Sequence, residues 1–450
     1  MRLSPKEVDF SKGFTPELDI FRLKSLGDGL TNVLTKVEHP VVLALNGTWG
    51  SGKSTFLRMW ASEANAESGS LSVVYYDAFE EDYTDDPFAS IASKIIGFAE
   101  SRLTKPESAL KDIKANTKSV LKQILPIGTR VFTEVVIRAA TAGLVSSDVV
   151  NSAIEKVSEG VAEANSKVID DLINKPNEQR TIIDTFKNSL QALPELLAAG
   201  KNAGNVRPLV IVVDDLDRCR PQYALHLLER VKHFMSVPNV HFVFGLNIDQ
   251  LKASVKAAYG DETDAEAYLR KFLTLIVDFA DVRFGENDDR IAKFIEYLWK
   301  SYSLPSSYEG DEQVIRIVRH QNLSLRDIER VISQIALMYA FTNQGSIHFL
   351  AMSIGLCFMK TLNPNLFKKA KQGTLEYSEA AKFLGLETDF ANLVGQSVSQ
   401  ESDHWVIVTT SDPPYEYREG FKHRQNNRTY QQQPNWLKTA VIVVERLSPA

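Results

Sequence analysis

The chain has 450 residues, 44% hydrophobic and 24% charged, with a formal net charge of −6. That length exceeds one ordinary domain and supplies ample core without disulfide or metal staples. The mild acidity excludes a globally basic nucleic-acid or membrane binder and leaves any such surface local. Cys219 and Cys357 stand in neither a CxxC nor a Cys/His cluster, so no disulfide framework or zinc site is indicated, and a reducing, cytoplasmic compartment is expected.

The first residues, MRLSPKEVDFSKGF, are too charged for a secretory signal and read as a mature N-terminus. Leu18–Lys36 reads as an amphipathic helix leading into Val41–Asn46, a continuous apolar run of the kind expected for a buried parallel strand. A helix over Thr55–Ala64 separates it from a second strand-like run, Ser72–Phe79. Between Ser101 and Val206 no comparable strand occurs, only helical patterning broken by Pro106, Pro126, Pro176 and Pro194. The most membrane-like window, Val131–Val145, is interrupted by Glu134 and Arg138 and is shorter than the roughly 20 apolar residues of a span, so no transmembrane segment is expected. On a helix over Ser108–Leu125, an apolar stripe through Leu110, Ile113, Thr117, Val120 or Leu121, and Ile124 is bordered by Lys111, Lys114, Lys118 and Lys122. Such a helix either packs on its neighbours with lysines in water or lies on an anionic membrane, a peripheral contact at its inner face.

Strand-like runs return at Pro208–Asp215 and Val240–Asn247, separated by a helix over Pro221–Met235. The alternation predicts an α/β fold with a parallel central sheet. After Arg283 the pattern is helical through Leu386, and two β-like runs, Trp405–Thr409 and Ala440–Val444, flank a polar loop over Tyr417–Pro434. The expected organisation is a core in two parts (1–100 and 206–285), a helical insertion (101–205), a helical C-terminal lid (286–400) and a small β-containing extension (401–450).

GTWGSGKST, Gly47–Thr55, fits G-x-x-x-x-G-K-[ST] and follows an apolar strand and precedes a helix, the setting of a phosphate-binding loop. Its residues Gly47, Thr48, Trp49, Gly50, Ser51, Gly52, Lys53, Ser54 and Thr55 are expected to bind nucleotide. The glycines let backbone N–H groups turn inward around phosphate, and the helix N-terminus adds its partial positive charge. Lys53 is expected on the β/γ-phosphates and the Ser54 hydroxyl on Mg²⁺. Trp49 reads either as packed against the neighbouring strand or as stacking on a ligand or partner.

LVIVVDDLDRC, Leu209–Cys219, ends an apolar strand in two adjacent carboxylates, the form of a Walker B element. Asp214 is expected to hold Mg²⁺ and Asp215 to orient and polarise the attacking water. Asp217 reads as a cap for the following helix, whose first turn carries Pro221. Asn247, ending the next strand, reads as a sensor of the γ-phosphate or lytic water, or as an ordinary strand-ending residue. No NKxD or TKxD string follows; Asn174-Lys175-Pro176-Asn177 lacks the carboxylate that reads guanine, which favours ATP over GTP.

Three stretches together resemble the KAP family of P-loop NTPases: GTWGSGKST, VVYYDAFEEDYTDDPFASIASKI (Val73–Ile95) and VVDDLDRC (Val212–Cys219). The resemblance covers about Leu18 to Leu337. It implies an additional-strand P-loop core, ATP with Mg²⁺, long helices inserted between Walker A and Walker B, and membrane-associated scaffolding ATPases or parts of bacterial anti-phage systems as its relatives. Asp77 stands where the family commonly has Asn, and Asn247 where it commonly has Asp. Tyr268–Phe279 resembles the family segment after the sensor strand, with Lys271 on its basic position; Arg270 or Lys271 reads either as a finger onto a neighbour's γ-phosphate or as a solvated helix charge. LSLRDIERVI (Leu323–Ile332) resembles a sensor-2 helix, making Arg326 a candidate nucleotide contact; the alternative is an ion pair with Asp327 or Glu329.

The function expected from the whole is ATP hydrolysis that switches helical segments or drives assembly with protein partners or a second copy. An ATP-dependent scaffold with little turnover is the first alternative. A nucleic-acid motor is the second, resting on Arg418, Lys422, His423, Arg424, Arg428 and Lys438 interleaved with Tyr430 and Trp436.

Overall fold

The computed structural model describes residues 6–66, 68–84, 87–102, 184, 186–198, 206–279, 289–305, 308–341, 350–386, 405, 409 and 435–445. They form two compact units: Phe10–Thr48 with Gly52–Ala280, and Met1–Asp9 with Trp49–Ser51 and Asp281–Ala450. Most of 101–205, including the basic helix expected at Ser108–Leu125 and the window Val131–Val145, lies outside the described residues. So does Tyr417–Pro434. Among the described residues no helix is long and apolar enough to cross a membrane.

In the first unit the strands are β1 (Val42–Asn46), β2 (Ser72–Asp77), β3 (Leu209–Asp214), β4 (Val240–Leu246) and β5 (Leu275–Asp278). They pair in parallel in the order β2-β3-β4-β1-β5, so β4 is inserted between the strand before the glycine-rich loop and the strand bearing Asp214. That is an α/β P-loop core with the additional strand. Alternation along each strand feeds two cores. Val42, Ala44, Val74, Tyr76, Ile211, Val213, Phe242 and Phe244 face α3 (Pro87–Arg102) and α4 (Pro221–Val231). Leu43, Leu45, Val73, Val210, Val212 and Val243 face α1 (Lys24–Lys36) and α2 (Lys53–Ala64).

The first helix starts six residues later than its amphipathic pattern predicts. Arg22 sits at φ 57, and the Asp19 carboxylate accepts from the N–H of Leu23 (2.6 Å) and Lys24 (3.1 Å), so the chain enters the helix only there. The strand β5 is absent from the sequence reading. Its four residues are too short for a periodicity signal, and Leu275 and Ile276 are exposed, so no buried face marks it.

The second unit contains α7 (Asp289–Ser301), α8 (Tyr308–Gln321), α9 (Leu325–Phe341), α10 (Leu350–Leu362), α11 (Pro364–Gln372), α12 (Tyr377–Leu384) and α13 (Asn435–Glu445), numbered after α5 (Ile248–Tyr259) and the short α6 (Ala265–Leu269) of the first unit. Their apolar faces form one core. The β-like run expected at Ala440–Val444 is corrected here. It lies inside α13, where Leu437, Ala440, Val441 and Val444 recur at helical spacing and are buried. Of the other β-like run, Trp405 and Thr409 are described and helical, with the Thr409 hydroxyl donating to the Trp405 carbonyl at 2.6 Å.

Candidate functional site

The chain leaves β1 at Asn46 and enters α2 at Lys53 through a turn with Gly50 at φ 81 and Gly52 at φ 97. Both lie in the left-handed region that glycine adopts without a Cβ clash. The first helical bond of α2 runs from Phe56 N–H to the Gly52 carbonyl (3.0 Å), so the N–H groups before it face out of the helix end. The Lys53 ammonium donates to the carbonyls of Gly47 (2.5 Å) and Thr48 (2.9 Å). Lys53 is only 6% exposed, and burial pulls its pKa down against the opposing charges of Asp217, Asp214 and Asp215. Trp49 keeps 43% of its surface exposed, which fits an indole turned outward rather than one packed against a strand. Ser51 is buried and Thr55 exposed.

Asp214 ends β3 and is fully buried. Its Oδ2 accepts from the Tyr75 hydroxyl (2.7 Å), its Oδ1 from the Asp215 N–H (3.0 Å), and the Ser54 hydroxyl is a third partner. Burial raises its pKa; these hydrogen bonds oppose the rise. Room for the carboxylate comes from the next strand. In register with Asp214 stands Gly245, where a Cβ would lie 2.3 Å from Asp214 Oδ1 and 2.5 Å from Leu57 Cδ1. Sequence reasoning passed over Gly245 because nothing local marks a glycine inside an apolar strand as a neighbour of a distant acid.

Asp215 follows at φ 55, a left-handed conformation that a non-glycine residue holds at a cost of about 1–2 kcal/mol. Its N–H reaches the Gly245 carbonyl (3.0 Å), and its Oδ2 pairs with Arg218 Nη1 at 2.8 Å. Burial, then the Asp214 charge, pushes its pKa up to about 6, and Arg218 pulls the other way. The Arg218 Nε is buried without a hydrogen-bond partner among the described residues. Asp217 does not cap the next helix as expected. The residue before α4 is Arg220, with no side-chain cap, and Pro221 fills the first turn, where its missing N–H needs no acceptor. Asp217 is instead buried, and of the acids favouring the Lys53 charge it acts most strongly.

Asn247 stands at the N-terminus of α5, and its Oδ1 accepts from Asp249 N–H (3.0 Å) and Gln250 N–H (3.4 Å). The side-chain oxygen is thus committed to capping, and Nδ2 is the group left to meet a ligand. Asn46, which the sequence reading did not single out, donates to Asp278 (2.9 Å) and accepts from Ile248 N–H (3.0 Å), tying the ends of β1, β4 and β5 together. Arg270 is exposed and bonded to Glu266, and Lys271 lies over the Tyr268 ring at 5.4 Å. In the second unit, which includes Trp49–Ser51, a Cβ on Gly50 would stand 2.7 Å from Arg326 Cβ and 3.1 Å from Ser324 Oγ. Ser324 caps α9, accepting from the Asp327 N–H at 3.2 Å.

The KAP family P-loop domain matches residues 26–342. Among solved structures, one similar chain is the Aeropyrum pernix ORC2 protein in its ADPNP-ADP complexes, at 10% identity and a TM-score of 0.37 over 99% of this chain and 97% of that one. No curated protein matches the sequence. With the family match covering well over half of the chain, and with its glycine-rich loop and acidic strand end meeting at one edge of the sheet, the chain belongs to the KAP family of P-loop NTPases.

Proposed function

We propose that this NTPase binds ATP with Mg²⁺ and hydrolyses it to ADP and phosphate, using nucleotide state to shift its helical segments or to assemble a complex. One observation carries the reading. The Ser54 hydroxyl is hydrogen-bonded to Asp214, a fully buried carboxylate that no ion pair neutralises among the described residues. Hard oxygen donors, one of them a buried carboxylate held in no direct ion pair, fit a divalent cation in a low-dielectric site. Bound there, Mg²⁺ would neutralise charge on the β- and γ-phosphate oxygens.

The chain's own residues would do the rest. Backbone N–H groups of the loop beyond Gly47, whose own N–H donates to the Leu246 carbonyl at 3.1 Å, would cradle the phosphates at the α2 N-terminus, with Lys53 turning from the carbonyls of Gly47 and Thr48 onto phosphate oxygens. Asp215 would orient the attacking water and accept its proton, a task suited to a carboxyl whose pKa is pushed up to about 6. Asn247 Nδ2 would read the γ-phosphate; a nucleotide contact by Arg326 rests on the sensor-2 resemblance of its helix alone. A role in a bacterial anti-phage system rests on the family resemblance alone.

A second reading, an ATP-dependent scaffold with little turnover, is favoured by the Arg218–Asp215 pair, which occupies the carboxylate that hydrolysis needs. Phosphate release by the wild type and by Asp215→Asn separates the two. The hydrolase reading expects the variant to lose about 100-fold or more in rate while still binding ATP. Equal rates in both proteins leave the scaffold.

A further inference from the structure

The longest of the three family-like stretches contains two adjacent tyrosines, and the strand geometry sends them to opposite faces of the sheet. Tyr76 faces α4 and shares a 2.7 Å hydrogen bond with the Tyr223 hydroxyl. Tyr75 and Asp77 face α2. In the register of β2 with β3, Asp77 lies beside Asp214, and Tyr75 lies two residues earlier beside Val212. The phenol therefore spans one side-chain repeat to reach Asp214 Oδ2 at 2.7 Å.

The other side of that phenol is held by α2. Arg58 Nε donates to the Tyr75 oxygen at 3.1 Å, and Arg58 Nη2 donates to Asp77 Oδ2 at 3.1 Å. A guanidinium has no acceptor, so the phenol oxygen must accept from Arg58 and its single proton must go to Asp214. The direction of the whole chain of bonds is fixed. Arg58 also lies four residues after Ser54, on the same face of α2. One helix thus touches Asp214 twice: directly through the Ser54 hydroxyl, and through Tyr75 from Arg58.

We propose that Tyr75 and Arg58 are positioning residues that hold the Asp214 carboxylate in the one orientation in which it and Ser54 share a divalent cation. The inference rests on the reading of the site as one for Mg·ATP. It gives the stretch Val73–Ile95 a task at the site, through Tyr75 and Asp77. Asp77 supplies the anion that anchors Arg58, for which an amide would offer only a neutral acceptor.

The test uses the full chain, a fluorescent ATP analogue, and its affinity measured in EDTA and across a Mg²⁺ titration, with the thermal midpoint alongside. Tyr75→Phe should bind the analogue in EDTA as the wild type does, yet need about 10-fold more Mg²⁺ for half-maximal tightening, the scale on which outer partners of a metal ligand act. Arg58→Lys keeps a charge for Asp77 but replaces two separate guanidinium donors in fixed geometry with one ammonium on a different reach, so it should raise the Mg²⁺ requirement too. The double variant should be no worse than Tyr75→Phe alone, because both remove one chain of bonds. A purely structural clamp would weaken binding equally with and without Mg²⁺ and lower the midpoint, which overturns the proposal. So does an unchanged Mg²⁺ requirement in both single variants. A wild type whose affinity ignores Mg²⁺ would instead sink the Mg·ATP reading itself.

Discussion

At the amino edge of the sheet, His241, the second residue of β4, has 2% of its surface exposed, its Nδ1 accepting from the Val41 N–H at 3.1 Å. At the carboxyl edge of the same strands, Lys53, Asp214, Asp215 and Asp217 are all buried within one neighbourhood. A neutral imidazole with one good hydrogen bond costs the fold little. Buried charges cost several kcal/mol each unless partners compensate them, and a carboxylate held at φ 55 adds strain. The amino edge is organised for stability; the carboxyl edge holds charges that folding does not require.

The largest effect that would break this contrast is at Lys53. Lys53→Ala should abolish ATP binding, by 100-fold or more in affinity, while leaving the fold intact, because the ammonium serves loop carbonyls rather than a core. Titration with a fluorescent ATP analogue reads the affinity, and circular dichroism reads the fold. Retained wild-type affinity would show that the loop does not bind phosphate. Asp215→Asn comes next: binding kept, phosphate release lost. A variant that loses binding as well would move Asp215 into the metal-holding role assigned to Asp214.

Gly245→Ala should act at both levels. The new Cβ would stand 2.3 Å from Asp214 Oδ1 and 2.5 Å from Leu57 Cδ1, so the carboxylate or α2 must shift. Overpacking of this kind costs about 1–3 kcal/mol, read as a lowered denaturant midpoint at unchanged slope. The displaced Asp214 should also raise the Mg²⁺ requirement for nucleotide binding. A variant with wild-type stability and wild-type Mg²⁺ dependence would mean that Asp214 has more room than the register allows.

These residues differ in how far the sequence alone could reveal them. The loop Gly47–Thr55 and the strand end at Asp214 and Asp215 were legible as a candidate site because each motif is written in adjacent letters. Gly245, Tyr75 and Arg58 were not, since each acquires its task from strand register or from a helix face across the sheet. Asp217 was misread for a related reason: a carboxylate ahead of a proline looks like a cap, and only the three-residue 3-10 turn Leu216–Arg218 points it inward. In the second unit, Val and Ile at 441–444 suggested a strand, whereas the helical spacing of Leu437, Ala440, Val441 and Val444 decides the outcome. Periodicity of burial outweighs β-propensity there.

The smallest effect sharpens the comparison through pH, measured on the metal- and nucleotide-free chain. Burial and the Asp214 charge push the folded pKa of Asp215 up to about 6 from the ordinary carboxylate value of 3.8, so between those values the folded state binds more protons than the unfolded one. Its contribution to stability therefore increases as pH falls through about 6. Burial lowers the folded pKa of His241 from the ordinary imidazole value of 6.5, so the unfolded state binds more protons once pH drops below about 6.5. Its contribution therefore decreases on acidification, and the two edges respond with opposite signs. Thermal midpoints from pH 7.5 to 5 should show this as differences from wild type. Asp215→Asn should lose the acid-side gain and fall below the wild-type curve as pH drops. His241→Gln, which keeps an acceptor for Val41 but cannot titrate, should rise relative to wild type over the same range. Each difference should be roughly a few °C, the size expected for about 1 kcal/mol in a chain with a transition of this kind. Parallel curves for His241→Gln and wild type would mean that the imidazole is as easily protonated in the fold as in water, and that the amino edge is less dry than its 2% exposure indicates.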